Sequence, residues 1–489
     1  MHVWETEATQ RKRFWLTSSL LCGFLTLAFL LADARPAFAL PLVTLKVHAI
    51  PAFARKYGMP CSSCHEAWPK LSPFGQSFKD NGYQMGNDRD APIFQSPAYW
   101  PVTFRITPIW HRESLGRVLV DGPGGPNSTE TRVTTHGFDW SGLDFHTAGT
   151  LAKNVSFYVL PSADSTGAFH FEAVWARLDN LLGSSWLNIK LGKFELDNLL
   201  SEKRILTLST YGGLYQNYHF QPATESTYAF GIGDNQVGVE WMGHSKNDRT
   251  RISAALLNSN DGQPNFTATN GTEDLTTGRA YNGFFSASQA FEAGSLGLQR
   301  VGGFAFLGQA PTYFQYNSGG IPLAIPGTGV GNKGYYRAGL IGMWYVKKLD
   351  FTTIYFHGWD SAFLGTGTRA IDPLPTGAKA PTWNGGLIET HYNLNPQWML
   401  LNRVETVRMT RQALPIDPTM PFIAGTSVPS SDFGNIDVAT FGFRYYPFIS
   451  SRAGFAFHNE FSILRQKRVS SLGNDQTNSS ALFGFDFAF

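Results

Sequence analysis

The chain ends in FGFDFAF at residues 483–489, where phenylalanine alternates with small or acidic residues. Successive side chains of a β-strand point to opposite faces, so this run predicts a strand with one strongly apolar face. At the end of a soluble protein, a strand with such an apolar face would promote aggregation. In a closed membrane barrel both of its edges are paired and its apolar face contacts lipid. The terminus therefore favours an all-β transmembrane barrel.

The same two-residue period recurs upstream, from about residue 101 onward. In residues 236–241 (QVGVEW) the two valines and the tryptophan share one face, while Gln236 and Glu240 lie on the other. Residues 441–445 (FGFRY) and 455–462 (FAFHNEFS) alternate in the same way. A soluble β-sandwich also alternates, so the number of strands and the lengths of their connections have to decide between the two folds.

We predict sixteen antiparallel strands, an even number such as bacterial outer-membrane barrels have. They lie near residues 101–111, 142–151, 154–162, 168–180, 186–196, 236–245, 249–259, 279–292, 296–309, 333–346, 349–361, 382–394, 398–410, 436–448, 453–466 and 478–489. Short and long connections alternate between them. The link at 163–167 is the exception, being short where a long one is due, and residues 204–215 could add a further strand.

Alternating connections put all tight turns at one end of a barrel and the long loops at the other. In outer-membrane barrels the turns are periplasmic and the loops extracellular, so both termini are expected in the periplasm. A low charged fraction of 16%, 14% aromatic residues and 50 glycines suit a protein in contact with outer-membrane lipid. The net charge of +2 gives no indication of a nucleic-acid partner.

Residues 1–39 have the parts of a secretory signal peptide. A basic run at 11–13 is followed by an apolar run at 14–31 and by the cleavage-site pattern AFA at 37–39. An uncleaved membrane anchor is the alternative. Cleavage would remove Cys22 and leave two cysteines, too few for a disulfide framework.

Residues 61–65 read CSSCH, the C-x-x-C-H pattern of covalent c-type haem attachment. Two thiols one short turn apart can add to the two vinyl groups of haem, and His65 then lies beneath the iron as its proximal ligand. We therefore predict one haem c held by Cys61, Cys64 and His65. A redox dithiol is an alternative, but no βαβ pattern surrounds it, and half a zinc site would lack a second cysteine pair.

The other side of the iron has several candidate residues. Met85 is the first choice for the sixth ligand, although it could instead pack against the porphyrin. His48 is the rival, and Met59 is close to the attachment cysteines. Arg55 and Lys79 are candidates for pairing with the haem propionates, or are solvated surface charges.

The chain is thus expected to have three parts: the signal peptide, a mostly helical haem segment at 40–98, and a barrel at 99–489. About sixty residues are marginal as a free domain. A sixteen-stranded barrel leaves a lumen wide enough for a channel or a plug. We expect the haem segment to sit in or at this lumen, seated by inward charges such as Arg403, Glu405 and Arg444.

Four motifs around the haem site resemble the fused outer-membrane monohaem cytochrome c–porins, the ferrous-iron oxidases of iron-oxidising bacteria. They are AIPAFAR at 49–55, CSSCH at 61–65, PKLSPFG at 69–75 and FKDNGY at 78–83. The rest of the chain resembles the family in architecture, length and the terminal phenylalanine. The resemblance implies Fe(II) oxidation at the cell surface, a high-potential haem, and electron transfer to a periplasmic cytochrome c or copper protein.

This resemblance carries over to Cys61, Cys64 and His65, and to Met85 as a distal ligand. Two other functions stay open from the sequence. One is a pore gated by the redox state of the haem segment, and the other is a haem peroxidase-type enzyme, which would need an open sixth position on the iron.

Overall fold

The structure is a computed structural model that describes residues 52–67, 70–85, 102–119, 129–163, 167–196, 235–259, 281–312, 331–365, 374, 380, 382–409, 436–447, 454–466 and 475–488. All of them belong to one compact unit, His48–Phe489. The predicted signal peptide, residues 204–215 and Phe489 lie outside the described residues.

The N-terminal part of the described chain forms short elements: α1 (Ala52–Tyr57), a 3₁₀ turn (Cys61–Ser63), β1 (His65–Ala67), β2 (Lys70–Leu71) and α2 (Pro73–Asp80). We call residues 52–85 the N-terminal segment. One further helix, α3 (Ala362–Gly365), lies between two barrel strands. Within the described ranges, no helix is both long and apolar enough to cross a membrane.

Sixteen antiparallel strands close into a barrel, which confirms the predicted fold class. Each strand pairs with its neighbour in the chain, and the last strand pairs with the first, as Phe483 opposite Trp110 illustrates. The strands are β3 (Val102–Leu119), β4 (Glu130–Ala152), β5 (Val155–Ala163), β6 (Phe169–Leu178), β7 (Asn188–Glu195), β8 (Asn235–His244), β9 (Thr250–Asn258), β10 (Tyr281–Glu292), β11 (Leu298–Thr312), β12 (Gly331–Val346), β13 (Leu349–Asp360), β14 (Thr382–Asn395), β15 (Trp398–Met409), β16 (Ile436–Tyr445), β17 (Gly454–Gln466) and β18 (Gln476–Ala488).

Every predicted strand is present, but the first long connection is wrong. Residues 112–141 were expected to be a loop, whereas β3 continues to Leu119 and β4 begins at Glu130. The two extensions pair with each other, as Arg112 opposite His136 shows. Many of their residues are polar on both faces, so the apolar–polar alternation that marks the other strands is weak there.

Connection lengths alternate around the barrel as predicted. Strands β12 and β13 are joined by a tight turn at Lys347 and Lys348. Strands β15 and β16 are joined by a long connection, residues 410–435. The short link after Ala163 is the predicted exception. We call the two ends of the barrel the turn end and the loop end.

The barrel is apolar outside and polar inside, the reverse of a soluble protein. Exposed apolar side chains on the outer face include Leu256, Leu307, Leu340, Ile388 and Phe457. Buried ionisable side chains on the inner face include Arg337, Arg403, Glu405, Arg444 and Glu460. An outward apolar band around a polar interior is the pattern of a transmembrane barrel.

The N-terminal segment packs inside this barrel, close to the turn end. Lys70 contacts Asp350, the second residue of β13. Asp80 contacts Arg251, the second residue of β9. Since both strands begin at the turn end, these contacts place the segment in the part of the lumen next to the tight turns.

Candidate functional site

The C-x-x-C-H residues form one tight turn. Ser63 N donates to Pro60 O at 3.0 Å, and Cys64 N donates to Cys61 O at 3.1 Å. The two cysteines are half-buried and are not joined in a disulfide. His65 begins β1 and lies opposite Leu71 of β2, so the imidazole follows the turn on a fixed backbone.

Helix α2 is fastened to this turn through Ser72 and Gly75. The backbone N–H of Ser72 donates to Cys64 O at 2.9 Å, and its hydroxyl donates to Ser63 O at 3.0 Å. The same hydroxyl caps the helix by accepting from Gly75 N at 3.1 Å. A Cβ added to Gly75 would lie 2.0 Å from Cys64 O. Helix α2 can therefore pack directly against the turn, because Ser72 caps the helix and Gly75 has no side chain at the point of contact.

A cavity of about 200 Å³ brings the predicted site residues together with the barrel wall. From the N-terminal segment it is lined by Met59, Cys61, Cys64, His65, Lys79 and Met85, together with aromatic residues. From the barrel it is lined by Arg105, Asp144, His146, Tyr158 and Glu172, among others. The wall residues come from β3 to β6, so the site belongs to both parts of the molecule.

The segment side of the cavity is an aromatic cradle. Phe53 packs edge-on against Phe78 and stacks on Tyr83, with ring centroids 5.0 Å apart in both pairs. Tyr57 meets Phe78 edge-on at 5.5 Å. The barrel side carries ionisable groups instead, and Arg105 donates to Asp144 at 2.8 Å and to Asp486 at 3.0 Å.

These residues fit a c-type haem. The macrocycle is flat and apolar, which suits the aromatic cradle, and its two propionates suit a polar wall. Cys61, Cys64 and His65 supply the two thiols and the proximal imidazole in the order that attachment requires. The chemistry of the lining therefore suits such a group, with the covalent anchors contributed by the N-terminal segment.

The environment of the thiols disfavours a redox dithiol. Burial raises the pKa of Cys61 to about 11, and burial also raises the pKa of Cys64. Redox-active C-x-x-C pairs have a thiol pKa that is lowered, because the thiolate is the reactive form. Half-buried thiols with a raised pKa are mostly protonated at neutral pH and react slowly. Such thiols are typical of a structural site or of a site for covalent attachment.

The remaining sequence candidates have different outcomes. Met85 lines the cavity and packs against the aromatic core, so both of its predicted roles stay open. Met59 also lines the cavity. Lys79 lines it too, with Nζ 3.6 Å from Glu195 Oε2. The side chain of Arg55 and all of His48 lie outside the described residues.

The segment is held on one side by Lys70 and a chain of buried charges, which we call the anchor cluster: Glu66, Lys70, Asp350, Glu389, His391 and Arg403. Lys70 Nζ contacts Asp350, lies 2.9 Å from Glu66 and 3.1 Å from His391 Nδ1. His391 then reaches Glu389 at 2.6 Å. Glu66 follows His65 directly, so this cluster fixes the backbone next to the predicted proximal ligand.

A second set of charges holds the end of α2. Arg251 lies 2.9 Å from Asp80, and Arg177 donates to the carbonyl of Lys79 at 2.9 Å. Ser77 donates to Asp248 at 2.6 Å. Each of these barrel residues lies at or near a tight turn.

The predicted seating residues lie on the inner face of the barrel and pair with other buried charges. Arg403 Nη1 lies 3.5 Å from Glu389 of the anchor cluster, and Arg403 also pairs with Glu405 at 2.9 Å. Arg444 pairs with Glu460 at 2.9 Å. The sequence identified the inward face correctly, but the residues that touch Lys70 are Asp350 and His391.

Comparisons with known proteins show similar barrels and nothing more. No protein-family model matches the sequence, and no curated protein matches it. The outer-membrane channel DcaP of Acinetobacter baumannii covers 81% of this chain and 99% of its own, at 9% identity and a TM-score of 0.45. An anion-selective porin from Comamonas acidovorans covers 79% and 98%, at 11% identity and a TM-score of 0.45.

OprB of Pseudomonas putida, in a structure at high pH, covers 79% of this chain and 94% of its own. Its identity is 9% and its TM-score 0.43. At such identities and scores the similarity says nothing about what this chain binds or carries.

Proposed function

We propose that this chain is an outer-membrane electron-transfer protein. It oxidises extracellular Fe(II) at a single c-type haem and passes the electrons to a periplasmic cytochrome c or copper protein. The observation that carries the proposal is the cavity, which unites Cys61, Cys64 and His65 with an aromatic cradle inside a closed barrel. When bound, the haem supplies the one-electron redox centre.

The chain's own residues hold and insulate that centre. Cys61 and Cys64 would hold the haem covalently, and the imidazole of His65 would bind its iron. The aromatic rings of Phe53, Phe78 and Tyr83, which pack on one another, would provide an apolar surface for the macrocycle. Rigid seating keeps the geometry of the site similar in both redox states, which favours electron transfer.

The position of the site suits the proposed direction of transfer. With the tight turns facing the periplasm, the cavity lies on the periplasmic side of the lumen, within reach of a soluble carrier. The donor then approaches through the lumen from the loop end. Direct electron transfer from aqueous Fe(II) needs no dedicated iron-binding site on the chain.

The experiment is rapid mixing of the purified protein with Fe(II) while the absorption bands of reduced haem are followed. We expect reduction at the working pH, followed by reoxidation on addition of a soluble cytochrome c. The C61S/C64S double variant, which keeps the barrel, is the matched control and should show neither. A haem-containing protein that Fe(II) leaves oxidised would overturn the iron-oxidase function.

A redox-gated pore is the second candidate, favoured by the closed sixteen-stranded barrel around the N-terminal segment. In planar bilayers or liposomes a pore of this kind would conduct, and its conductance would follow the redox state of the haem. Conductance that is low in both redox states would favour a fixed plug and the electron-transfer function.

A further inference from the structure

We infer that His146, on barrel strand β4, is the sixth ligand of the haem iron, so that the barrel itself completes the iron site. The inference rests on the proposed haem. The sixth ligand would then come from the wall of the barrel, whereas the first choice from the sequence, Met85, lies in the N-terminal segment.

Few side chains around the cavity have an atom that readily binds haem iron. Apart from His65, the imidazole and thioether side chains of the described lining are those of His146, Met59 and Met85. Met59 lies two residues before Cys61, on the attachment side of the cavity. The choice is therefore between Met85, from the segment, and His146, from the wall.

The imidazole of His146 lines the cavity and is fixed by a hydrogen bond at one of its two nitrogens. Its Nδ1 lies 2.9 Å from the hydroxyl of Tyr158 on the neighbouring strand. When Nδ1 carries the proton and donates to that hydroxyl, Nε2 presents its lone pair, the form in which imidazole binds iron. Hydrogen bonding at the second nitrogen is the usual way in which metal-binding histidines are oriented.

The carboxylate of Asp144 lies farther from the imidazole of His146 than the hydroxyl of Tyr158 does. Asp144 Oδ2 lies 3.9 Å from His146 Nε2, beyond hydrogen-bond length. The same oxygen accepts from Arg105 at 2.8 Å, so its charge is already balanced.

An aromatic stack ties this histidine to the N-terminal segment. Tyr158 stacks on Trp175 with centroids 5.9 Å apart, and Trp175 stacks on Tyr83 at 6.2 Å. Tyr83 is part of the cradle that stacks on Phe53. The group that orients His146 is therefore packed against the segment that carries the haem attachment site.

Met85 has a different surrounding. It packs against the apolar core formed by the cradle and the barrel wall. An unbranched side chain of this kind fills gaps well. We assign it to packing against the porphyrin, one of the two roles that its position in the sequence allows.

The experiment is spectroscopy of the full-length holoprotein in detergent. Wild-type ferric protein should be low-spin, without the near-infrared charge-transfer band that a methionine ligand gives. His146→Ala should become high-spin, and added imidazole should restore the low-spin spectrum. His146→Met should gain the methionine band and have a higher redox potential, because methionine favours the reduced iron.

Controls separate ligation from misfolding. Met85→Leu should keep the low-spin spectrum, and His170→Ala, at an exposed histidine on β6, should leave both spin state and potential unchanged. Tyr158→Phe removes only the hydroxyl, so it should keep the low-spin state and shift the potential. A normal heat-dependent shift on gels shows that each barrel is closed.

The outcomes are distinct from those of the Fe(II) test. A methionine band in the wild type that disappears only in Met85→Leu would overturn the assignment of His146 and leave the electron-transfer function standing. A low-spin His146→Ala protein without added imidazole would do the same. A chain that carries no haem would overturn both proposals.

Discussion

Two of the barrel walls that meet the N-terminal segment differ in what they offer it. The β13–β14 wall presents Asp350 and His391, which contact Lys70 directly. The β3–β5 wall presents Arg105, His146 and Tyr158 to the open space beside the thiols. Charge buried in direct contact fixes a position, whereas polar groups that line a cavity leave room for a ligand. The comparison indicates that one wall positions the segment and the other takes part in the site.

The largest effect is expected on the anchoring wall. Lys70→Met removes the ammonium from the buried Asp350 and the half-buried Glu66, and breaking a buried ion pair typically costs about 3–5 kcal/mol. The segment should lose its seat, and protease should cleave it faster in the intact barrel. Lys153→Met, at an exposed turn, is the control and should change nothing. Equal protease resistance in both variants would mean that the anchor cluster does not hold the segment.

The pH dependence of this anchor has a defined sign. Burial lowers the pKa of Lys70, but Asp350 and then Glu66 raise it, and the net shift is upward. A raised lysine pKa contributes stability that is fully present below the ordinary lysine pKa and is lost as pH rises through the folded-state value. Protease resistance should therefore be constant from neutral pH up to about pH 10 and fall only beyond it.

On the cavity side, the next effect concerns the thiols. A pKa of about 11 for Cys61, against an ordinary 9.0, lowers the thiolate fraction near neutral pH by about a hundredfold. In barrel purified without haem, Cys61 should be alkylated about a hundred times more slowly than in the denatured chain. Alkylation at the rate of the denatured chain would show that the thiols are not buried.

The variant Gly75→Ala tests how closely α2 must approach the C-x-x-C-H turn. Gly75→Ala puts a Cβ against the carbonyl of Cys64, and overpacking of this kind costs about 1–3 kcal/mol. We expect a smaller fraction of chains with covalent haem, measured as the ratio of haem absorbance to protein. Gly283→Ala, on β10, is the matched control because its Cβ would meet nothing within 4 Å.

The smallest effect is expected for the aromatic stack. Trp175→Leu keeps an apolar side chain but removes the stacking on Tyr83 and Tyr158, worth about 1 kcal/mol. The midpoint of chemical unfolding of the segment should shift by a correspondingly small amount. If Trp175→Leu lowered the stability of the segment as much as Lys70→Met does, the two walls would not differ in how strongly they position it.

The sequence predicts those parts of the molecule that depend on local pattern. Alternation located all sixteen strands, and the C-x-x-C-H motif located one side of the cavity. Alternation missed the extension of β3 and β4, where Arg112 pairs with His136 across a stretch that is largely polar. Strand prediction from the hydrophobic period cannot see such a stretch.

Contacts set by barrel register could not be predicted. Lys70 and Asp350 are 280 residues apart, and only the closed barrel brings them together. His146 looks in the sequence like any inward polar residue of a strand. Its place beside the cysteines depends on where the segment sits in the lumen, which no local signal encodes.

The seat of the N-terminal segment also constrains the order in which the protein is made. The N-terminal segment is bound by barrel residues from three separate strands, Arg177 of β6, Arg251 of β9 and Asp350 of β13. All of these contacts are present only when the distant strands have come together. Once the wall has closed, an enzyme that joins haem to Cys61 and Cys64 would have to reach into the lumen. If the chain carries the proposed haem, the two thiols are therefore easier to reach before the strands close than afterwards.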